Sequence, residues 1–120
     1  MKLKEMINYI EILKDIIDNQ PNVSSVMKFK FLGAIKQFTP YIENFESIRN
    51  ELIMKYGEEK ETGGYEVVKE SDNYKIFADE ISKVLDQDID QSITKFKAED
   101  IMNAGISANY LIYLYDLIEE

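Results

Sequence analysis

The chain contains no cysteine and no histidine. Without cysteine there is no disulfide framework, no thiolate nucleophile and no cysteine metal site. Without histidine the usual acid/base group near neutral pH is missing, and so is the commonest metal ligand. No apolar run approaches the roughly 18 residues that a membrane-spanning helix needs. At the N-terminus, Glu5, Glu11 and Asp15 interrupt any signal-like apolar stretch. A soluble protein acting in the cytoplasm, with no membrane contact, is therefore expected. No phosphate-binding loop or dinucleotide fingerprint occurs. Serines are present, but no histidine can activate one. The carboxylate pairs Asp79/Glu80 and Glu99/Asp100 are adjacent in sequence, so on a helix they diverge and do not converge on one substrate atom. The expectation is no enzyme, with no catalytic, cofactor-binding or metal-ligating residue to assign.

What is present is a single domain of 120 residues, 45% of them apolar, which is enough for a core. The formal charge is −9, and it is unevenly spread. Residues 1–56 hold eight basic and seven acidic residues, a net of +1; residues 57–120 hold six basic and sixteen acidic residues, a net of −10. The second half repels phosphate, so direct nucleic-acid binding is not expected. It suits a basic partner, or serves only to keep the chain soluble.

Leu3, Met6, Ile10, Leu13 and Ile17 recur at steps of three and four, with Tyr9, Ile12 and Ile16 broadening the stripe. This predicts an amphipathic helix over 3–18, stopped before Pro21. A second helix, capped by Ser24 or Ser25, carries Ile35, Phe38, Ile42, Phe45, Leu52 and Tyr56 on a 3-4 seam that Arg49 interrupts. Its seam is expected to pack on helix 1. Pro40 removes one backbone donor, which predicts a kink near 36–40 or two abutting helices. Gly57 is expected to end the helix in the left-handed conformation. A charged loop follows, Gly63-Gly64 permits a turn, and Tyr65–Val68 alternates like a short strand.

A third helix begins after Ser71-Asp72, with Tyr74, Phe77, Ile81 and Leu85 as its inward face. Ile89, Gln91, Ile93 and Lys95 share a face if that segment is a strand. Gly105 is expected to end a short helix over 98–104. Ser107 caps the last helix, with Tyr110, Leu111, Leu114, Leu117 and Ile118 apolar. The result is a mainly α (α+β) fold, roughly 65–70% helix. It comprises a helical hairpin with a kinked long second helix, a small two-stranded β element and two to three further helices.

Asp86, Asp88 and Asp90 resemble the start of a calcium loop. That loop requires Gly at position six and a bidentate Glu at position twelve; here they are Gln91 and Lys97, which argues against calcium. Tyr110, Tyr113 and Tyr115 point in different directions around the last helix, and a helix apolar nearly all round is either buried or covered by a partner. Phe29 and Phe31 pose the same choice. Lys28, Lys30 and Lys36 are too few for a nucleic-acid site. The candidate partner-binding residues are Glu58, Glu59, Glu61 and Tyr65 in the loop, with Tyr110 and Tyr113 in the last helix.

The chain also resembles a family of small phage and prophage proteins of low-GC Gram-positive bacteria, the one catalogued as domain of unknown function 1617. The resemblance rests on the Met1–Lys4 start, Leu52-Ile53, the Lys55-Tyr56-Gly57-Glu58 step and Gly63-Gly64. It continues through Phe77, Glu80 and Leu85, the Asp88–Ile93 segment, and Ile106-Ser107 leading to Leu111 and Leu114. It implies a phage or prophage product acting in the bacterial host cell or within a virion, and carries over no catalytic residue. Three functions are then expected: an accessory protein that binds a host or phage protein, and can also associate with itself; an acidic inhibitor that mimics phosphate or DNA; or a minor virion or assembly component.

Overall fold

A computed structural model describes residues 1–89 and 95–119. Its mainly α architecture is the expected one. The α-helices are α1 (Leu3–Asn19), α2 (Ser25–Tyr56), α3 (Asp72–Leu85), α4 (Ala98–Met102) and α5 (Ala108–Leu114), with a 3-10 turn at Tyr115–Leu117. The strands are β1 (Glu58–Glu59), β2 (Tyr65–Glu66), β3 (Phe96–Lys97) and β4 (Ile118–Glu119).

The stripe on α1 is the centre of the core. Met6, Tyr9, Ile10, Leu13 and Ile16 are buried, and they meet Met27, Phe31, Ala34 and Phe38 of α2. Phe96, Ile101, Leu114 and Leu117 close the same cluster from the C-terminal segment. Phe31 is therefore a core residue, its ring edge-on to Phe96 with centroids 5.1 Å apart. Phe29, two residues away, points outward at 78% exposure.

Length explains where the core stops. At ~1.5 Å per residue, the 17 residues of α1 cover about half of the 32-residue α2. The last buried residue of α2 is Phe45, and Arg49 lies over its ring at 6.0 Å. The break in the seam is thus a guanidinium shielding an aromatic face where α1 has run out. Beyond it Leu52 and Tyr56 are only half-buried, and Ile48 and Met54 are exposed.

Helix α2 continues through Pro40 as one element and not as two abutting helices. The Thr39 hydroxyl, on the residue just before it, donates to the Ile35 carbonyl one turn back at 2.7 Å. Gly57 departs from its expected conformation. Its φ is −89° and ψ 170°, extended and not left-handed. Glycine is required there for another reason: a Cβ would lie 2.3 Å from the Ile53 carbonyl oxygen and 3.0 Å from that of Glu66. The chain turns so tightly off the helix that two backbones meet.

The polar stretch after Gly57 is not simply a loop. Glu58 and Glu59 pair antiparallel with Glu66 and Tyr65, and the turn is closed by Lys60 N–H donating to Gly64 O at 2.9 Å. Gly63 and Gly64 have φ of +92° and +80°. Helix α3 starts as expected, with Ser71 Oγ accepting from Tyr74 N–H. Its inward face is only half-buried: Tyr74, Phe77, Ile81 and Leu85 all keep some exposure, and no α3 residue is fully buried.

After α3 the chain returns to the N-terminus. Leu3 N–H donates to Gln87 O, Ile89 N–H donates to Met1 O, and Asp88 bridges Lys2. Gln91 and Ile93 of the expected strand lie outside the described residues. A second sheet forms where none was expected, with β3 parallel to β4 through Phe96↔Ile118 and Lys97↔Glu119. The last helix consequently stops at Leu114, short of Ile118, because the final residues are drawn into that sheet. Gly105, at φ +78°, ends the α4 region.

Candidate functional site

The sequence-selected residues occupy two separate places. Glu58, Glu59, Glu61 and Tyr65 sit on the β1–β2 hairpin beyond the C-terminal end of α2, and all four are exposed. Register places Glu58 directly opposite Glu66. Like charges facing across a strand pair destabilise it. Among the described residues no lysine or arginine forms an ion pair with these acids. The hairpin thus carries an uncompensated negative ridge beside an exposed tyrosine ring.

Tyr110 and Tyr113 lie on α5, which packs on α1. Tyr110 is half-buried, and its hydroxyl donates to Asp15 Oδ2 at 2.7 Å. That bond and a second from the Asn19 amide hold the Asp15 carboxyl below its usual range. Tyr110 is therefore a brace between α5 and α1. Tyr113 is exposed, and so are Ile112 at 79% and Tyr115, at the start of the following 3-10 turn, at 67%, while Leu114 is fully buried. The structure does not bring the hairpin set and the α5 set into one site.

Tyr9 makes a parallel brace from inside the core. Its hydroxyl donates to Asp116 Oδ2 at 2.8 Å. Burial, and then that bond to a carboxylate, push the phenol well above its normal pKa.

A third feature was missed by sequence reasoning. A groove of about 470 Å³ runs between the first half of α2 and the β3–β4 sheet. Gly33, Ala34, Phe96 and the exposed Phe29 line it. A Cβ at Gly33 would meet nothing within 4 Å, so the missing side chain is what leaves the groove open. Lys30, Lys95 and Lys97 line it, with Asp100 and Glu119 opposing. Lys30 already pairs with Asp100 at 3.1 Å. Lys95 and Lys97 pair with no acid among the described residues. A sequence signal existed: Phe29, Gly33 and Gln37 share a helix face off the seam, and Lys-Phe-Lys occurs at both 28–30 and 95–97. That the two tripeptides meet is a tertiary fact.

The aspartates of the calcium-like run are used otherwise. Asp86 takes Lys4 at 3.0 Å and Lys2 at 3.9 Å, which lowers its pKa, mainly through the Lys4 hydrogen bond. Asp88 joins the bridge to Lys2, and Asp90 lies outside the described residues. Among the described residues no group of three acids is placed to hold a metal, and no helix is long and apolar enough to cross a membrane. No family model matches the chain, and neither a curated protein nor a solved structure does.

Proposed function

We propose that the chain works by binding another protein, without catalysis, as an accessory product of a phage or prophage acting in the host cytoplasm. The binding reading is carried by one observation: Ile112, Tyr113 and Tyr115 are left exposed within four residues, beside a fully buried Leu114. A fold that sorts its core this sharply leaves such a group where another surface covers it. The phage origin rests on the sequence resemblance alone. Affinity capture from infected host lysate, read by mass spectrometry, tests the reading. The expected result is one enriched protein that is lost with the Ile112→Ser, Tyr113→Ser double variant. Equal capture by the variant and the parent chain overturns it.

An acidic inhibitor of a nucleic-acid-handling host protein is a second reading. Supporting it is the Glu58, Glu59, Glu61 and Glu66 ridge, exposed and in no ion pair among the described residues. Binding would then fall steeply with added salt and vanish when Glu58 and Glu59 are replaced by lysine. The third reading, a minor virion component, requires the chain in purified particles at fixed stoichiometry.

A further inference from the structure

We propose that the chain assembles head to tail with copies of itself, the acidic β1–β2 hairpin of one copy seating in the lysine-rimmed groove of the next. This goes beyond the protein-binding reading, which concerns the α5 surface, by naming a second copy as the partner of a different surface.

Charge complementarity carries the proposal. The hairpin spanning 58–66 has four glutamates against Lys60, a net of −3, and Glu58 faces Glu66 across the ladder. A ribbon of two-residue strands with facing like charges gains most from a cationic surface laid against it. The groove supplies one. Lys95 and Lys97 lack acid partners among the described residues, against a single unpaired lining carboxylate, Glu119. In a chain of net charge −9, a lysine-rimmed concavity is the place where an acidic ridge is attracted and not repelled.

Shape agrees with charge. Tyr65, cross-strand from Glu59, is exposed on the hairpin. The groove is large enough for a phenol ring, and Phe29 and Phe96 are among its lining residues, with no side chain at Gly33 to fill it. Its tail-side acids then reach the lysines at the rim.

The hairpin cannot fill its own groove. Gly57, at the end of α2, is 24 positions beyond Gly33, about 36 Å of helix axis at ~1.5 Å per residue. Repeated head to tail, two different patches at separate points on one molecule make a heterologous contact, which continues into a chain or closes into a ring; a reciprocal two-fold pair would instead stop at dimers.

Sedimentation velocity tests this with two variants. Gly33→Leu fills the groove; the position is helical and open, so the fold accepts it. Glu58→Lys with Glu59→Lys reverses the hairpin and relieves the clash with Glu66. Circular dichroism checks that both stay helical. The parent chain is expected to sediment as species larger than dimers as its concentration rises to about 200 µM, a weak contact. Each variant alone stays monomeric. Mixed one to one they form dimers and nothing larger, because one copy offers only a hairpin and the other only a groove.

A monomeric parent chain at that concentration overturns the proposal. So does a parent that stops at dimers, a Gly33→Leu chain that still assembles, or a mixture that stays monomeric. None of these outcomes alters the lysate capture result, which reads the α5 surface.

Discussion

The two ends of the molecule are built differently. At one end α1, the first half of α2, α4, α5 and the β3–β4 sheet enclose a single cluster in which Leu13, Ile16, Phe31, Phe38 and Leu114 have no measurable exposure. At the other, the second half of α2, the hairpin and α3 form an arm in which Phe45, at 8% exposure, is the only buried side chain among the described residues. Both ends were written with the same helical periodicity. The difference teaches that periodicity specifies a face, while burial needs a second element long enough to cover it. Helix α1 runs out before α2 does, and α3 covers the remainder only partly.

The sharpest way to break this comparison is to truncate one aromatic ring at each end. Phe31→Ala removes a ring with no exposure and is expected to cost about 3–5 kcal/mol. Phe77→Ala, half-buried on α3, should cost about 1 kcal/mol. Urea unfolding measures both, and equal costs would mean that the arm is as well packed as the core end. Hydrogen exchange sharpens the same point, because α3 amides should open at lower free energy than those of α1.

Two glycines give the next contrast. Gly105 has φ +78°, and a Cβ there would lie 2.5 Å from the Asn22 carbonyl oxygen. This is the turn where the C-terminal segment docks on the α1–α2 connection, reinforced by Ser107 N–H donating to Gln20 Oε1. Gly105→Ala should therefore cost about 2 kcal/mol or more. Gly33→Ala, in an open helical position, should raise stability by roughly 0.5–1 kcal/mol. Thermal melting of the two variants should move in opposite directions.

A smaller effect concerns the brace inside the core end. The Tyr9 phenol has a folded pKa above its unfolded value of about 10. Its contribution is complete below that pH and is lost as pH rises toward the folded pKa. Tyr9→Phe should lower stability at neutral pH by about 1–2 kcal/mol, through loss of the bond to Asp116. It should also flatten the alkaline decline of the melting temperature.

The smallest effect lies at the joint between the two regions. The Asp86 carboxyl has its pKa lowered by Lys4, so its contribution is present above the normal aspartate pKa of about 3.9 and is lost as pH falls through its depressed value. The pair is exposed, and exposed pairs are weak. Lys4→Ala should shallow the acid limb of the melting curve while leaving the neutral melting temperature nearly unchanged.

The helices were legible because their signals are local. Ser24 and Ser71 cap where a side-chain oxygen meets a free N–H, and α1 shows its stripe residue by residue. The β1 strand was not legible, because Glu58-Glu59 has no apolar alternation and pairs only because the turn at Gly63-Gly64 returns the chain to it. Gly57 was read correctly as a terminator and incorrectly as left-handed, since the constraint there is the approach of Glu66 from across the hairpin. Of the candidate contact residues, the hairpin acids and Tyr113 were chosen on chemistry, and the structure leaves them exposed. Tyr110 was not separable from them, because its partner Asp15 lies 95 positions away.

The sequence by itself determined the helical class, the order of the helices, the acidic second half, and the absence of cysteine and histidine chemistry, all of which depend on residue type and near-neighbour spacing. Only the tertiary structure decided that Phe31 is core while Phe29 is surface, that the chain's last residues leave their helix for a parallel strand, and that two Lys-Phe-Lys segments face each other across an open groove. Those outcomes depend on which distant surfaces meet, and contact between residues far apart in the chain is set by the packing of whole elements.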